Sequence, residues 1–179
     1  SATDNALKIY DNFATPGDDK IGLIHFHQKM MIRMKLQTVD TKSTQQRKTI
    51  DKTRTPEWGG TAFYDALIQA MAIPTESSNS YMVALTDGSD MDSRNNIDVT
   101  KVAIAKSGWT LFVIGLQVNA RVRERCEDLA NASPNGQYMH ANDAGAGLDE
   151  AFAAVAAQFA MPKVKSADAA ASGGGARGV

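Results

Sequence analysis

The spacing of apolar and polar residues along the chain predicts an alternation of helices and strands. In some stretches apolar residues recur at helical spacing, and in others they run continuously or alternate with polar ones. The predicted helices cover residues 2–13, 61–73, 97–106, 119–132 and 143–159, and the predicted strands cover residues 20–28, 30–37, 81–86, 110–115 and 137–140. Residues 40–54 are polar and are predicted to form a loop with a short helix.

The strands differ in their patterns, and the pattern predicts where each lies in a sheet. Strands 81–86 and 110–115 are continuously apolar, which is typical of parallel strands buried on both faces. Strand 20–28 is also apolar on both faces, so it is predicted to be interior. Strand 30–37 alternates, and its outward cations favour a sheet edge. Only the short connection at Gln28 and Lys29 joins these last two strands, which predicts an antiparallel hairpin.

The order of these elements predicts one α/β domain. Strands that alternate with helices imply right-handed crossovers and a doubly wound, mainly parallel sheet, with helices on both faces and the hairpin at its edge. The domain is predicted to span residues 1–162, followed by an Ala- and Gly-rich tail or linker over residues 163–179. In such folds ligands bind at the carboxyl ends of the strands.

Composition narrows the classes of partner. The net charge of −1 offers no electrostatic case for nucleic acid or for an anionic membrane, and no apolar run approaches the roughly 18 residues of a membrane span. The single cysteine, Cys126, lies on the apolar stripe of a predicted helix and is expected to be a buried packing residue. This cysteine usage favours an intracellular, cytoplasmic protein. The oligomeric state stays open.

Two polar loops supply the candidate chemistry. Gly59 and Gly60 allow a tight turn before Thr61, which is predicted to be the N-cap of the helix that follows. About 20 residues after Thr61 a buried strand begins at Tyr81, and a second loop follows this strand from Asp87. Hydroxyl and carboxylate oxygens are ligands that hard cations prefer, so the two loops predict one polar site with an ion in it. The residues predicted to contact a partner there are Trp58, Gly60, Ser89 and Asp90; core anchoring is an equal alternative for Trp58, and a solvated loop position is the alternative for Asp90.

These loops resemble two motifs of a known family. Residues 59–67 and 83–90 are similar to the second and third metal-site motifs of von Willebrand factor A domains, and the flanking strand 19–26 also agrees. The resemblance implies a doubly wound sheet with a metal-ion-dependent adhesion site (MIDAS), usually holding Mg²⁺. It implies that Thr61 binds the ion through its hydroxyl and that Asp87 binds it directly or through water. One coordination position would accept a carboxylate from a protein partner.

The first motif of that family is absent from the sequence. An Asp-x-Ser-x-Ser loop should follow the first strand, but helix 2–13 corresponds to the family helix that comes after this motif. The sequence is therefore expected to begin after the first strand or to receive this strand from another segment; the alternative is that the protein lacks this central strand. Two protein ligands seldom hold Mg²⁺. The chain by itself is expected to bind the ion weakly or not at all.

Three functions follow from these patterns. The first is a protein-interaction module that binds an acidic side chain of a partner through a divalent cation. The second is a structural domain of the same fold with a degenerate metal site, which binds partners without metal. The third is a Mg²⁺-dependent phosphotransfer enzyme around Asp87. No lysine, second acidic cluster or phosphate-binding glycine loop accompanies this aspartate in a recognisable pattern, so the expectation is that the chain is not an enzyme.

Overall fold

The structure, a computed structural model, describes residues 2–12, 14, 17–40, 42–52, 60–75 and 79–159. These ranges contain helices and strands that alternate along most of the chain. The helices are α1 (Ala2–Asn12), α2 (Thr44–Asp51), α3 (Phe63–Met71), α4 (Ile97–Ser107), α5 (Ala120–Asn131) and α6 (Ala146–Phe159). The strands are β1 (Lys20–Phe26), β2 (Met30–Thr38), β3 (Tyr81–Thr86), β4 (Thr110–Leu116) and β5 (Gln137–Ala141). The predicted α/β class is confirmed.

The strands form two separate sheets. β1 and β2 pair antiparallel, from Lys20 opposite Thr38 to Phe26 opposite Met30, and make the predicted hairpin. β3, β4 and β5 form a parallel sheet in that order. Over the residues described, no ladder of hydrogen bonds joins β1 to β3. The division between the two sheets is therefore consistent with a missing central strand.

Helices cover both faces of the parallel sheet, as the apolar pattern of β4 requires. Leu111 and Val113 pack on one face with α3 and α5, while Phe112 and Ile114 pack on the other face with α6. A third cluster joins α1, the hairpin and α2 around the fully buried ring of Tyr10. This burial of both faces of β4 explains why its sequence is continuously apolar.

Strands β1 and β3 are less buried than their sequences predict. Both are apolar on both faces, yet most of their residues are only half-buried, whereas the five central residues of β4 are buried. The prediction that strand 20–28 is interior is wrong for this chain, because β1 has a ladder partner on one side only. One edge of β1 and one edge of β3 have no ladder partner among the described residues.

Helix ends follow the predicted capping chemistry at two of the helices. Asn119 caps α5 by accepting a hydrogen bond from the N–H of Val122, as predicted. Gly108 ends α4 in the left-handed conformation, with φ of 73°. Helix α6 begins at Ala146, three residues later than its predicted start. None of the described helices has the length and apolarity to cross a membrane.

Several predictions fall outside the described residues. Trp58 and Gly59 lie in the 53–59 range, and the domain boundary at residue 162 and the tail 163–179 lie beyond Phe159. They stay predictions.

Candidate functional site

The predicted site lies where the carboxyl ends of β1 and β3 meet the start of α3. The N–H of Ala62 donates to the carbonyl of His27, just after β1, over 2.6 Å. The N–H groups of Met91 and Asp92 donate to the carbonyl of Thr61 over 2.9 and 3.1 Å. The structure thus brings Thr61 into direct contact with residues 87–96, here called the carboxylate loop, which follow β3.

Side chains of the carboxylate loop cap helix α3. Its own N-cap is Ala62, which has no side-chain acceptor, so the prediction that Thr61 caps the helix is wrong. The N–H of Tyr64 donates to Asp90 over 2.8 Å, and that of Asp65 donates to the hydroxyl of Ser93 over 3.0 Å. The loop therefore satisfies N–H groups that every helix start leaves without an intrahelical partner.

Asp65 binds the same loop in the opposite direction. Its carboxylate accepts the N–H of Arg94 over 3.0 Å, the N–H of Asn95 over 3.1 Å and the side-chain amide of Asn95 over 2.7 Å. Burial pushes the pKa of Asp65 upward, but these hydrogen bonds outweigh burial, and the net pKa lies below its ordinary value. Asp65 is therefore a structural carboxylate that holds the loop against α3.

Gly60 is required by the position of Asp92. The carboxylate of Asp92 accepts the N–H of Thr61 over 2.6 Å, and it lies so close to Gly60 that a Cβ there would be 1.6 Å from its Oδ2 atom. A larger residue at position 60 would push this carboxylate away from Thr61. This physical reason for the glycine could not be read from the sequence, because it depends on a residue 32 positions away.

The two predicted metal ligands keep their oxygen atoms available. Thr61 is half-buried and Asp87 is exposed, and the structure gives neither side chain a hydrogen bond or ion pair within its described ranges. Asp90 and Asp92, by contrast, accept backbone hydrogen bonds of the first turn of α3 and of Thr61. A hard cation would find one free hydroxyl and one free carboxylate at this edge.

Thr61 and Asp87 offer oxygen atoms, which hard cations prefer, but two ligands are fewer than such a cation needs. Mg²⁺ takes about six oxygen ligands in octahedral array. Among the residues that the structure describes, no group of three or more His, Cys, Asp or Glu side chains is placed to hold a metal ion. Thr61 and Asp87 could therefore supply only part of a coordination shell, and water, a partner or further protein oxygens would have to supply the rest.

The predicted partner-contact residues lie in the same two loops. Gly60, Ser89 and Asp90 are half-buried, and Ser89 and Asp90 line a very small cavity, of about 10 Å³, against α5. Cys126 lines the same cavity from α5 and is buried, as expected. Burial raises the pKa of its thiol to about 11, so the thiol stays protonated at neutral pH. This thiol is a packing group.

One groove among the described residues lies away from this site. It has a volume of about 440 Å³, between α5 and the outer strand β5. The hydroxyl of Tyr138 lies 2.9 Å from Nδ1 of His140, and the guanidinium of Arg123 lies 5.8 Å from the centre of the Tyr138 ring. Arg123 is also paired with Glu127 over 2.8 Å. These side chains bind one another.

The fold and the paired loops together define the class of protein. It is a doubly wound α/β domain with an oxygen-rich candidate site at the carboxyl edge of its sheet. The family model described as the von Willebrand factor type A domain matches residues 1–154. The chain belongs to this family, and the predicted resemblance is confirmed.

Solved structures agree on the fold. A mutant of the PilB minor pilin from Streptococcus sanguinis is 15% identical with a TM-score of 0.69, over 88% of this chain and 53% of that one. A von Willebrand factor type A protein from Catenulispora acidiphila is 20% identical with a TM-score of 0.66, over 88% and 37%. This chain thus spans about half the length of the pilin. It spans a smaller share of the second protein.

A third similar structure holds a metal ion in the MIDAS motif of that protein. Proximal thread matrix protein 1 from the mussel byssus, with a zinc-occupied MIDAS motif, is 16% identical with a TM-score of 0.64, over 86% of this chain and 39% of that one. No curated protein sequence matches the chain. Likeness at these identities establishes the fold alone.

Proposed function

We propose that the chain is a protein-interaction module that binds an acidic side chain of a partner through a divalent cation at Thr61 and Asp87. The observation that carries the proposal is that, among the described residues, the hydroxyl of Thr61 and the carboxylate of Asp87 have no bonding partner and lie on two loops that contact each other at the carboxyl edge. Family membership supports it, and so does the zinc-occupied MIDAS motif of the mussel relative.

The cation would act as a bridge. Bound to Thr61 and Asp87, it would supply positive charge and open coordination positions for the oxygen atoms of a partner's carboxylate. The chain's own residues fix the two ligands, since the carboxylate loop is tied to α3 through Asp90 and Asp65. With only two ligands, binding to the chain alone is expected to be weak, and Mg²⁺ is the proposed ion.

A second candidate function is partner binding without metal. The observation that favours it is the use of Asp90 and Asp92 as acceptors for the backbone N–H groups of Tyr64 and Thr61, which engages both carboxylates within the protein. In this case the two loops and α3 form a rigid surface, and the metal site is degenerate.

A magnesium titration followed by amide NMR tests the first function against the second. In the parent chain, Mg²⁺ should shift the amides of Gly60, Thr61 and Asp87 with a weak, roughly millimolar affinity. The isosteric substitutions Thr61→Val and Asp87→Asn should abolish these shifts. Asp98→Asn is the matched control, because Asp98 is an exposed carboxylate in the first turn of α4. Titrations that are the same in all four proteins would overturn the cation proposal and favour the metal-free function.

Acetate then tests whether the bound ion accepts a carboxylate. With Mg²⁺ present, acetate should add further shifts at the same amides in the parent chain, and EDTA should remove them. Acetate shifts that persist in EDTA would show that the carboxylate binds without the ion and would contradict the bridge.

A further inference from the structure

We propose that the groove between α5 and the outer edge of β5 is a binding site for an extended peptide that carries a carboxylate side chain. The peptide would pair with β5 as an added strand, and its carboxylate would bind the guanidinium of Arg123. The groove lies apart from Thr61 and Asp87, and the inference does not depend on cation binding.

Strand β5 leaves one edge of the parallel sheet open. It pairs only with β4 among the residues that the structure describes. The carbonyl of Ala141 accepts the N–H of Gln117, just after β4, over 2.8 Å, so the backbone groups of Ala141 point toward β4. Because the backbone groups of successive residues point to opposite sides of a strand, those of Tyr138 and His140 point away from β4. Each of these two residues offers an N–H and a C=O group to a further strand.

The side chains of the same two residues line the groove. Tyr138 and His140 form the wall on the side of β5, and Arg123 and Glu127 form the wall on the side of α5. A groove between an edge strand and a helix suits an extended peptide, because the peptide backbone pairs with the strand while alternate side chains enter the groove. The volume of about 440 Å³ lies within the roughly 300–1,000 Å³ that is typical of ligand sites.

The guanidinium of Arg123 has unused donors. Its Nε atom donates to Glu127 over 2.8 Å, and its Cζ atom lies 5.8 Å from the centre of the Tyr138 ring. Its two terminal nitrogens have no partner within the described ranges. The ion pair and the ring hold the guanidinium in place, and the two terminal nitrogens match the two oxygen atoms of a carboxylate.

The pair formed by Tyr138 and His140 adds a further donor. The hydroxyl of Tyr138 lies 2.9 Å from Nδ1 of His140. Burial raises the pKa of Tyr138 to about 12, so the phenol keeps its proton at neutral pH. If the phenol donates to Nδ1, the Nε2–H group of a neutral imidazole remains free. If Nδ1–H donates to the phenol, the phenolic O–H remains free. Either arrangement therefore leaves one donor of the pair for a ligand.

The other polar groups of the groove favour an anionic ligand. The side-chain amides of Asn131 and Gln137 also line it, and neither has a hydrogen-bond partner in the part of the chain that is described. Glu127 is the one acidic residue of the lining, and Arg123 already engages one of its oxygen atoms. A cationic ligand would have to compete with Arg123 for this acid, whereas a carboxylate finds free donors.

A short peptide tests the site in the whole chain. The probe has about five residues, the length of β5, with valine and glutamate in alternation and with an acetylated and an amidated end. In EDTA it should shift the amides of Tyr138 and His140 and slow their hydrogen exchange by about tenfold at saturation. A glutamine analogue of the peptide should bind about tenfold more weakly, because it lacks the charge.

Two substitutions on α5 test the role of Arg123. Arg123→Gln should weaken the binding of the glutamate peptide by about tenfold and should leave the binding of the glutamine analogue nearly unchanged. Arg121→Gln is the matched control, because Arg121 is an exposed arginine of the same helix that does not line the groove. It should bind both peptides as the parent chain does.

Methylation of the peptide backbone tests the strand pairing. An added strand directs every second N–H group toward β5 and the intervening ones toward solvent. Two glutamate peptides are therefore compared, with methyl groups on the nitrogens of one or the other alternating set. One of the two should lose binding and the other should retain it.

Several outcomes would overturn the proposal. Amides of Tyr138 and His140 that do not respond to the glutamate peptide would exclude the site. Equal binding of the glutamine analogue, or equal effects of Arg121→Gln and Arg123→Gln, would exclude the carboxylate contact. Equal behaviour of the two methylated peptides would exclude strand pairing, and displacement by an equal concentration of inorganic phosphate would indicate a site for small anions only.

The state of the edge before peptide is added is a further test. Protection of the Tyr138 and His140 amides in the chain alone would show that the edge is already occupied and would overturn the proposal. Loss of that protection on dilution would then identify a second copy as the occupant, and its persistence would identify another part of the same chain. All these readouts are taken in EDTA, so failure of the Mg²⁺ titration leaves them unchanged and the two proposals fail separately.

Discussion

The carboxylate of Asp65 accepts both the backbone N–H and the side-chain amide of Asn95, over 3.1 and 2.7 Å. Asp65 lies in the first turn of α3 and Asn95 near the end of the carboxylate loop, so one side chain links two segments that are distant in sequence. The candidate site depends on this link, because Asp87 belongs to the same loop.

Removal of the charge of Asp65 should destabilise the chain. The substitution Asp65→Asn leaves one oxygen acceptor and adds two donors opposite the donors of Arg94 and Asn95. Hydrogen bonds to a charged group contribute about 1.5–3 kcal/mol, so a loss of this order in the free energy of unfolding is expected. Urea unfolding measures it, with Asp98→Asn as the control. An equal loss in both variants would contradict the structural role of Asp65.

The same carboxylate should make stability depend on pH. The pKa of Asp65 is lower in the folded chain than its ordinary value, so its contribution is present above the unfolded pKa, near 4, and is lost as pH falls through the folded pKa. Urea midpoints of the parent and of Asp65→Asn should differ constantly between about pH 7 and 5 and converge below about pH 4. If the difference between the two urea midpoints instead grows as the pH falls, the pKa of Asp65 is raised in the folded chain and not lowered.

Gly60→Ala should be costly because of Asp92. The new Cβ would lie 1.6 Å from Oδ2 of Asp92, so the carboxylate must move and lose its bond to the N–H of Thr61. The expected loss is about 1–3 kcal/mol in urea unfolding. Gly88→Ala is the matched control, since a Cβ there meets nothing within 4 Å.

A double-mutant cycle isolates the cause. If the clash with Asp92 is responsible, Gly60→Ala should cost much less in a chain that already carries Asp92→Ala. Additive losses would show that the cost of the alanine arises elsewhere.

Cys126 should be inert in the folded chain. Its side chain is 2% exposed, and burial raises its pKa to about 11, so thiolate is scarce at pH 8. A thiol reagent such as iodoacetamide should label it only at the rate at which the chain opens, and rapidly in denaturant. Labelling in native buffer at the rate of a free peptide thiol would contradict the buried position.

Local patterns were sufficient to predict most of the fold, because helices and strands follow the spacing of apolar residues. The hairpin and the Asn119 cap depend on residues close together in sequence, and the parallel strands were each predicted from their own apolar runs, although they pair with strands distant in sequence. The match to residues 1–154 confirmed the family that the two loop motifs indicated. The sequence lacks the Asp-x-Ser-x-Ser motif, and among the described residues the sheet is divided in two, which is consistent with that expectation.

The details of the site could not be predicted, because they depend on contacts between distant residues. A glycine-threonine turn before a helix favours a threonine cap, but the acceptors come from Asp90 and Ser93 in another loop. The exposure of β1 was mispredicted for a related reason: its apolar pattern records the burial that a neighbouring strand would provide. Sequence periodicity shows what a strand requires and not whether its neighbour is present.

The capping of α3 by the carboxylate loop has a consequence for motion. Asp90 and Ser93 bind the start of the helix, and Asp65 binds the loop, so neither segment can separate while the other stays in place. The loop and the first turn of α3 therefore behave as one cooperative opening unit. A partner that pulls the loop outward would leave the first N–H groups of α3 without acceptors, so movement of the loop also destabilises the start of the helix.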